Sequence, residues 1–403
     1  MVITDIAIVF LLCAVTYCYV LYPFVIRLLA RMDPTTSVMD QSIRPIVSII
    51  LAVYNEELVL EKCLDSLLRL EYPVDLLEII VGSDGSSDRT NSILADFQKK
   101  HSMIKPFYFP TRRGKMMVLN DLIPNTKGEL LYFVDADITL SANSVLVQTR
   151  HFADKQVGAV AGAYAIHSEK KQALYKTEKE YVFIEEAIRQ NESKYFSTVG
   201  LFGGNYMMRK TLWRLLPDRL VHDDLYSVLT VLSQSKRIIF EPESTSTDRY
   251  ERSITEEFKR KARFASRGFH TLSFFPELLG FSSGKIAFLL WSHKILRWTS
   301  PFLLILVVIL SLFGFAFERG LLDEVILSGS IIVLLLALLG QLSDKMNLRI
   351  PVVRQVSWFL IMIIAYAVGT LRFLFKTDKA MWVPATRPPI ESLKLLREGV
   401  EKK

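Results

Sequence analysis

The chain has 403 residues, 50% hydrophobic and 23% charged, with a formal net charge of +7. Its length suits two or three domains, and its apolar residues gather toward the two ends, which points to membrane segments flanking a polar body. The basic excess fits cytoplasmic loops and anionic headgroups; without zinc-finger spacing or a basic stripe interleaved with aromatics, nucleic acid is excluded as a partner. Cys13, Cys18 and Cys63 imply neither a disulfide framework nor a paired metal site.

Residues 4–30 form an apolar run long enough for the roughly 30 Å of a bilayer core. It lacks a basic start and is too long for a signal peptide, so residues 1–31 read as a transmembrane helix. Arg27 and Arg31 at its far end place the following domain in the cytoplasm by the positive-inside rule.

Within 45–250, apolar runs predict strands at Val47–Val53, Leu77–Val81, Ile104–Phe109 and Leu130–Val134. Helical spacing predicts helices over Leu58–Leu70, from Asp88 toward Phe97, and over 114–123. Continuous apolar strands separated by helices specify an α/β domain with a parallel sheet covered on both faces. Ligands of such sheets bind beyond the carboxyl ends of the strands.

Residues 251–298 read as interfacial helices, the mixed segment 277–297 among them, with the cations of Ser292–Trp298 meeting headgroups. Spans at about 299–317, 324–342 and 356–375 make a second membrane region, 299–376. The loop 343–355, with Lys345, Arg349 and Arg354, reads as cytoplasmic. One span before the body and three after it put the basic tail 377–403 outside, against the same rule, and segment 277–297 is the element able to change the count.

Polar residues cluster at the predicted strand ends. Tyr54, Asn55 and Glu56 follow the first strand, Asp84 to Ser87 the second, and Asp135-Ala136-Asp137 the fourth. Asp135 and Asp137 suit Mg²⁺ or Mn²⁺, with water and phosphate oxygens completing the octahedron. Lys115, at the start of a predicted helix after Arg112-Arg113-Gly114, suits a diphosphate. Asp223 and Asp224 open another apolar helix, one as cap and the other as general base.

As an ordered set these segments resemble the family 2 glycosyltransferases, inverting enzymes with a GT-A fold, over about residues 45–268, and most of all the membrane synthases of cellulose, hyaluronan and poly-N-acetylglucosamine. The resemblance implies a Rossmann-like, mostly parallel sheet flanked by transmembrane and interfacial helices. It implies a UDP-sugar site lined by Ala52, Tyr54, Glu56 and Asp84, and a metal held by Asp137 with Asp135 beside it. Asp224 becomes the base and Asp223 its neighbour, while Gly203, Gly204 and Asn205 lie near donor sugar and acceptor. The Gln-x-x-Arg-Trp of those synthases is replaced by Arg260-Lys261-Ala262-Arg263-Phe264, which keeps Arg263 for the diphosphate and loses the stacking indole. Trp382 to Arg387 resembles their gating loop.

The implied activity is β-glycosidic bond formation in synthesis of an extracellular or capsular polysaccharide by a multi-pass cell-membrane enzyme. Transfer of one sugar to a lipid acceptor, a polyprenyl phosphate or glycolipid, is the rival within the class. An inactive scaffold is the rival outside it, opposed by the intact set Asp84, Asp135, Asp137, Asp224 and Arg263.

Overall fold

The computed structural model describes residues 2–167, 173–217, 222–249, 253–317, 320–345 and 350–377. Eight strands form one sheet: β1 (Val47–Val53), β2 (Leu77–Asp84), β3 (Ile104–Phe109), β4 (Leu130–Phe133), β5 (Ile138–Leu140), β6 (Val157–His167), β7 (Tyr206–Arg209) and β8 (Arg237–Arg249). Their order is β3-β2-β1-β4-β7-β6-β8-β5. The helices are α1 (Val2–Thr16), α2 (Tyr22–Met32), α3 (Leu60–Leu68), α4 (Thr90–Lys100), α5 (Lys115–Leu122), α6 (Ser144–Thr149), α7 (Ala173–Tyr195), α8 (Asp223–Ser233), α9 (Ile254–Leu272), α10 (Lys285–Leu290), α11 (Leu296–Phe317), α12 (Leu321–Lys345) and α13 (Pro351–Leu374).

Strands β1 to β4 pair in parallel, as the continuous apolar runs predict. The later strands make the sheet mixed, because β7 runs antiparallel to both β4 and β6, and β5 antiparallel to β8. The pleat of β1 explains its apolar sequence. Val47, Ile49 and Leu51 face Leu60, Cys63, Leu64 and Leu67 of α3, while Ile50 belongs to the core that holds Val118, Leu119 and Leu122 of α5. Both faces are covered, so polar alternation never develops. A Cβ on Gly82 of β2 would lie 2.4 Å from Val118 Cγ1, so α5 sits directly on the sheet there.

Among the described residues, four helical stretches are long and apolar enough to cross a membrane: Ile3–Met32, Lys285–Phe317, Leu321–Ser343 and Pro351–Leu374. The first joins α1 to α2 through a π-turn at Tyr17–Leu21. In the second, a π-turn at Trp291–Ile295 joins α10 to α11, so helix runs unbroken from Lys285 instead of dividing near 299. The basic tail from 378 onward lies outside the described residues. The amphipathic α9 begins with a capping box, Ser253 accepting the Glu256 N–H at 3.2 Å and Glu256 accepting the Ser253 N–H at 2.8 Å. Helix α13 lies on α9: a Cβ on Gly369 would meet the Ala262 carbonyl oxygen at 2.2 Å, and Phe269 stacks on Phe373 at 5.6 Å. This packing joins the membrane helices to the α/β body.

Candidate active site

A cavity of ≈ 800 Å³ opens at the carboxyl ends of β1, β2 and β4 and continues toward α7, α9, α11 and α13. At its sheet end it is lined by Ala52, Tyr54, Glu56, Asp84 and Arg112. The Arg112 guanidinium lies 4.0 Å from the Tyr54 ring centroid, a stack that suits a flat base. Asp84 is buried and accepts the backbone N–H groups of Arg113 at 2.8 Å and Gly114 at 2.7 Å. The turn requires glycine, since Gly85 and Gly114 have φ of 68° and 96°. Asp84 thereby fixes the loop that starts α5 and aims Lys115. In Asp84→Ala both N–H groups lose their carboxylate, and stability should fall by about 2 kcal/mol. A thermal melt and a donor titration check this; a wild-type KM for the donor would show that the loop needs no anchor.

Lys115 Nζ lies 2.7 Å from Asp135 Oδ1 and 2.7 Å from Asp223 Oδ2, so one ammonium joins the end of β4 to the start of α8. Burial opposes its charge, but Asp135, Asp223 and Asp224 hold its pKa well above the ordinary lysine value. Burial also opposes the charge of Asp223, yet Lys115 holds that carboxyl below the usual range. Asp224 moves the other way, raised by burial and then by the neighbouring Asp223 charge. Two adjacent carboxylates thus divide into an ionised member and a more basic one.

Gly203 leaves room for the Asp224 carboxyl. A Cβ there would come 2.9 Å from the Asp224 carboxyl carbon. His222 packs its ring 5.1 Å from Phe264. Burial and the cations of Lys294, Arg267 and Arg263 outweigh Asp223 and bring its pKa down to about 4.

The cavity gathers Ala52, Tyr54, Glu56, Asp84, Lys115, Asp135, Asp137, Gly203, Asp223, Asp224, Arg260, Arg263 and Phe264. Two expected neighbours turn elsewhere. Asn205 is fully buried, with its amide bonded to Tyr132, Gln148, Ala163 and Ser244, which leaves nothing to offer a ligand. Gly204 faces Ile138, 2.6 Å from where its Cβ would sit. Arg260 reaches the cavity while ion-paired with Glu178 and Glu257 at 2.7 and 2.6 Å. Trp382 and Arg387 fall outside the described residues.

The cations of Ser292–Trp298 do not all meet headgroups as expected. His293 and Arg297 are buried; His293 bonds Glu192 at 2.7 Å and Glu185 at 2.9 Å, and Arg297 pairs with Glu185. Tyr22 of the first span donates to Glu192 at 2.6 Å. This network ties two membrane helices to α7, and Glu185, His293, Lys294, Arg297, Trp298 and Tyr366 line the far end of the cavity. A signal was present in the sequence: Glu178, Glu185 and Glu192 recur every seventh residue on one face of a helix, opposite His293 and Arg297 four apart.

Among the described residues no group of three or more His, Cys, Asp or Glu side chains encloses a metal. The donor set fits a cation held by one or two carboxylates and completed by phosphate oxygens. Asp135 and Asp137 line the cavity, and the Asp135 carboxyl is raised by burial and, against the pull of Lys115, by the charges of Asp137 and Asp223. A divalent ion bound there would relieve that repulsion.

A parallel sheet half that carries Asp135 and Asp137 after β4, with Lys115 opening α5 and Asp223 and Asp224 opening α8 around the same cleft, is a GT-A type of glycosyltransferase fold. Residues 48–216 match the model of Glycosyl transferase family 2. It is 26% identical over 229 residues to the probable glycosyltransferase YdaM of Bacillus subtilis, covering 55% of this chain and 54% of that protein. It is 35% identical over 149 residues to the poly-beta-1,6-N-acetyl-D-glucosamine synthase of Staphylococcus epidermidis, covering 36% of this chain and 35% of that one. The aligned parts therefore span about half or less of these relatives. A mannosyltransferase from Pyrobaculum calidifontis in complex with GDP-Man and Mn²⁺ superposes with a TM-score of 0.73 at 19% identity, over 93% of this chain and 100% of that one, which establishes the common fold.

Proposed function

We propose that the chain is an inverting glycosyltransferase that moves a sugar from a nucleoside diphosphate to a hydroxyl acceptor at the membrane. One observation carries this reading: Lys115 joins Asp135 and Asp223 at 2.7 Å each, in a cavity that Asp137, Asp224 and Arg263 also line. Asp224 takes the acceptor proton as the oxygen attacks the anomeric carbon. The bond to the diphosphate breaks on the opposite side, so an α-linked donor gives a β-linked product. Lys115 and Arg263 stabilise the departing charge. A divalent ion bound by Asp137, with Asp135 beside it, would supply further Lewis-acid neutralisation of the diphosphate.

The base packs against the stacked Tyr54–Arg112 pair in this reading. UDP is the proposed donor carrier, on the resemblance of the Tyr54, Glu56 and Asp84 segments to the synthases; the GDP-Man in the structural relative makes a guanosine donor the comparison to run beside it. Full-length protein screened with UDP- and GDP-sugars, with nucleoside diphosphate release as readout, tests the whole proposal. Release from no donor under any condition ends it. EDTA should abolish turnover and Mg²⁺ or Mn²⁺ restore it; full activity in EDTA would remove the metal role of Asp137.

Polysaccharide synthesis is supported by the relative named as a polymer synthase. Transfer to a lipid is favoured by a specific feature, the extension of the cavity to Arg297, Trp298 and Tyr366 on membrane-spanning helices. Product sizing separates them: long chains support the first, a single added sugar the second.

A further inference from the structure

The membrane-side end of the cavity holds cations that the transfer chemistry leaves unused. Lys294 stands in the π-turn of the second span and Arg189 on α7, and both line the cavity. A Cβ on Gly200 would lie 3.2 Å from Lys294 Nζ and 3.8 Å from Arg189 Cδ, so both side chains crowd one point that only a glycine leaves open. The nearby acids make their hydrogen bonds to other groups, Glu185 to His293 and Arg297, Glu192 to His293 and Tyr22, and Glu186 to the Tyr164 backbone N–H at 2.6 Å, and they act on Lys294 and Arg189 through charge without a direct bond. Arg189 Nη1 is buried without a hydrogen-bond partner, and no hydrogen bond joins Lys294 Nζ to another group among the described residues. Arg263 and Arg267 line the same end, and with Lys294 they act electrostatically on His222. Cations drawn into a partly buried cavity call for an anion.

Distance relates this point to the base. Gly200 lies beside Lys294, and Gly203 beside Asp224; the three Cα–Cα steps from Gly200 to Gly203 span no more than about 10 Å. Trp298 and Tyr366 add an apolar wall from α11 and α13, which are bound together by the Thr370 hydroxyl donating to the Trp298 carbonyl oxygen at 3.1 Å.

We propose that Arg189 and Lys294 bind the phosphate of an anionic phospholipid acceptor, whose hydroxyl-bearing headgroup then reaches Asp224 while its chains remain among the membrane helices. The inference rests on the glycosyl-transfer reading above and deepens it by naming the acceptor class. The phosphate is an anchor and forms no bond. The headgroup oxygen gains the sugar, its proton goes to Asp224, and the nucleoside diphosphate leaves with the electron pair.

The test uses the full chain in phosphatidylcholine nanodiscs, supplied with phosphatidylglycerol, diacylglycerol or soluble glycerol 3-phosphate. Binding without donor is read by native mass spectrometry, and transfer by product lipid. Phosphatidylglycerol should bind and accept sugar while the other two do neither. Lys294→Gln and Arg189→Gln should each raise KM for phosphatidylglycerol about ten-fold or more, with a much smaller change in KM for the donor, and Lys294→Arg should recover most of the loss. Equal use of diacylglycerol, equal binding of glycerol 3-phosphate, or unchanged phosphatidylglycerol affinity in both glutamine variants would overturn the proposal. Failure of all lipid arms with donor hydrolysis intact defeats this inference alone; failure of donor hydrolysis as well defeats the transferase reading.

Discussion

Asp224→Asn should lower kcat by about 10³-fold while leaving donor affinity near wild type, because it removes the proton acceptor and keeps the side chain's shape. The physical basis is the split between neighbouring acids. Burial and the Asp223 charge raise the pKa of Asp224, whereas Lys115 holds Asp223 ionised. In the proposed mechanism activity requires unprotonated Asp224, so it should fall as pH drops through that raised value, well above where an ordinary aspartate titrates. Asp224→Asn should abolish this acid limb together with the rate. His222 does not supply the limb, since burial and adjacent cations bring it down to about 4 and it is neutral above that. The check is a pH–rate profile of wild type and variant with folding confirmed by circular dichroism; near wild-type turnover in the variant would remove Asp224 from the mechanism. Gly203→Ala supplies an independent test, because its new methyl would press on the Asp224 carboxyl at 2.9 Å and displace the base without changing its chemistry.

Lys115→Met is the second large effect. The ammonium bridges Asp135 and Asp223 across 2.7 Å contacts, and in transfer it faces the departing diphosphate. Loss of one such electrostatic group costs about 10²–10³ in kcat. The variant also leaves Asp135, Asp223 and Asp224 without their shared cation, so its dependence on added Mg²⁺ or Mn²⁺ should steepen. Rates measured across a metal titration test both parts. A loss no larger than a few-fold, with an unchanged metal requirement, would show that Lys115 only supports the structure.

Much of the α/β body was legible because its code is local. Val47–Val53 and Ile104–Phe109 form strands over the predicted residues, and Leu77–Val81 extends to Asp84, where the polar end of the strand meets the cavity. Burial on both faces gives unbroken apolar runs, and these read directly as parallel strands. The mixed half of the sheet was not legible, since the antiparallel pairings of β5 and β7 bring together residues far apart in the chain.

The site divides in the same way. Asp84, Lys115, Asp135 and Asp224 stand at strand ends or helix starts, positions that periodicity locates, so the sequence by itself determined the parallel half of the sheet and the order of its acidic ends. Tertiary structure alone decided which groups complete it. It turned Asn205 into the core, where Tyr132, Gln148 and Ser244 consume its hydrogen-bonding capacity. It drew His293 and Arg297 out of the expected lipid interface, because Glu185 and Glu192 on a distant helix satisfy them there. The physical reason is range. Apolar periodicity is set by each element's own burial, whereas the placing of a polar side chain depends on a partner that folding supplies from elsewhere in the chain.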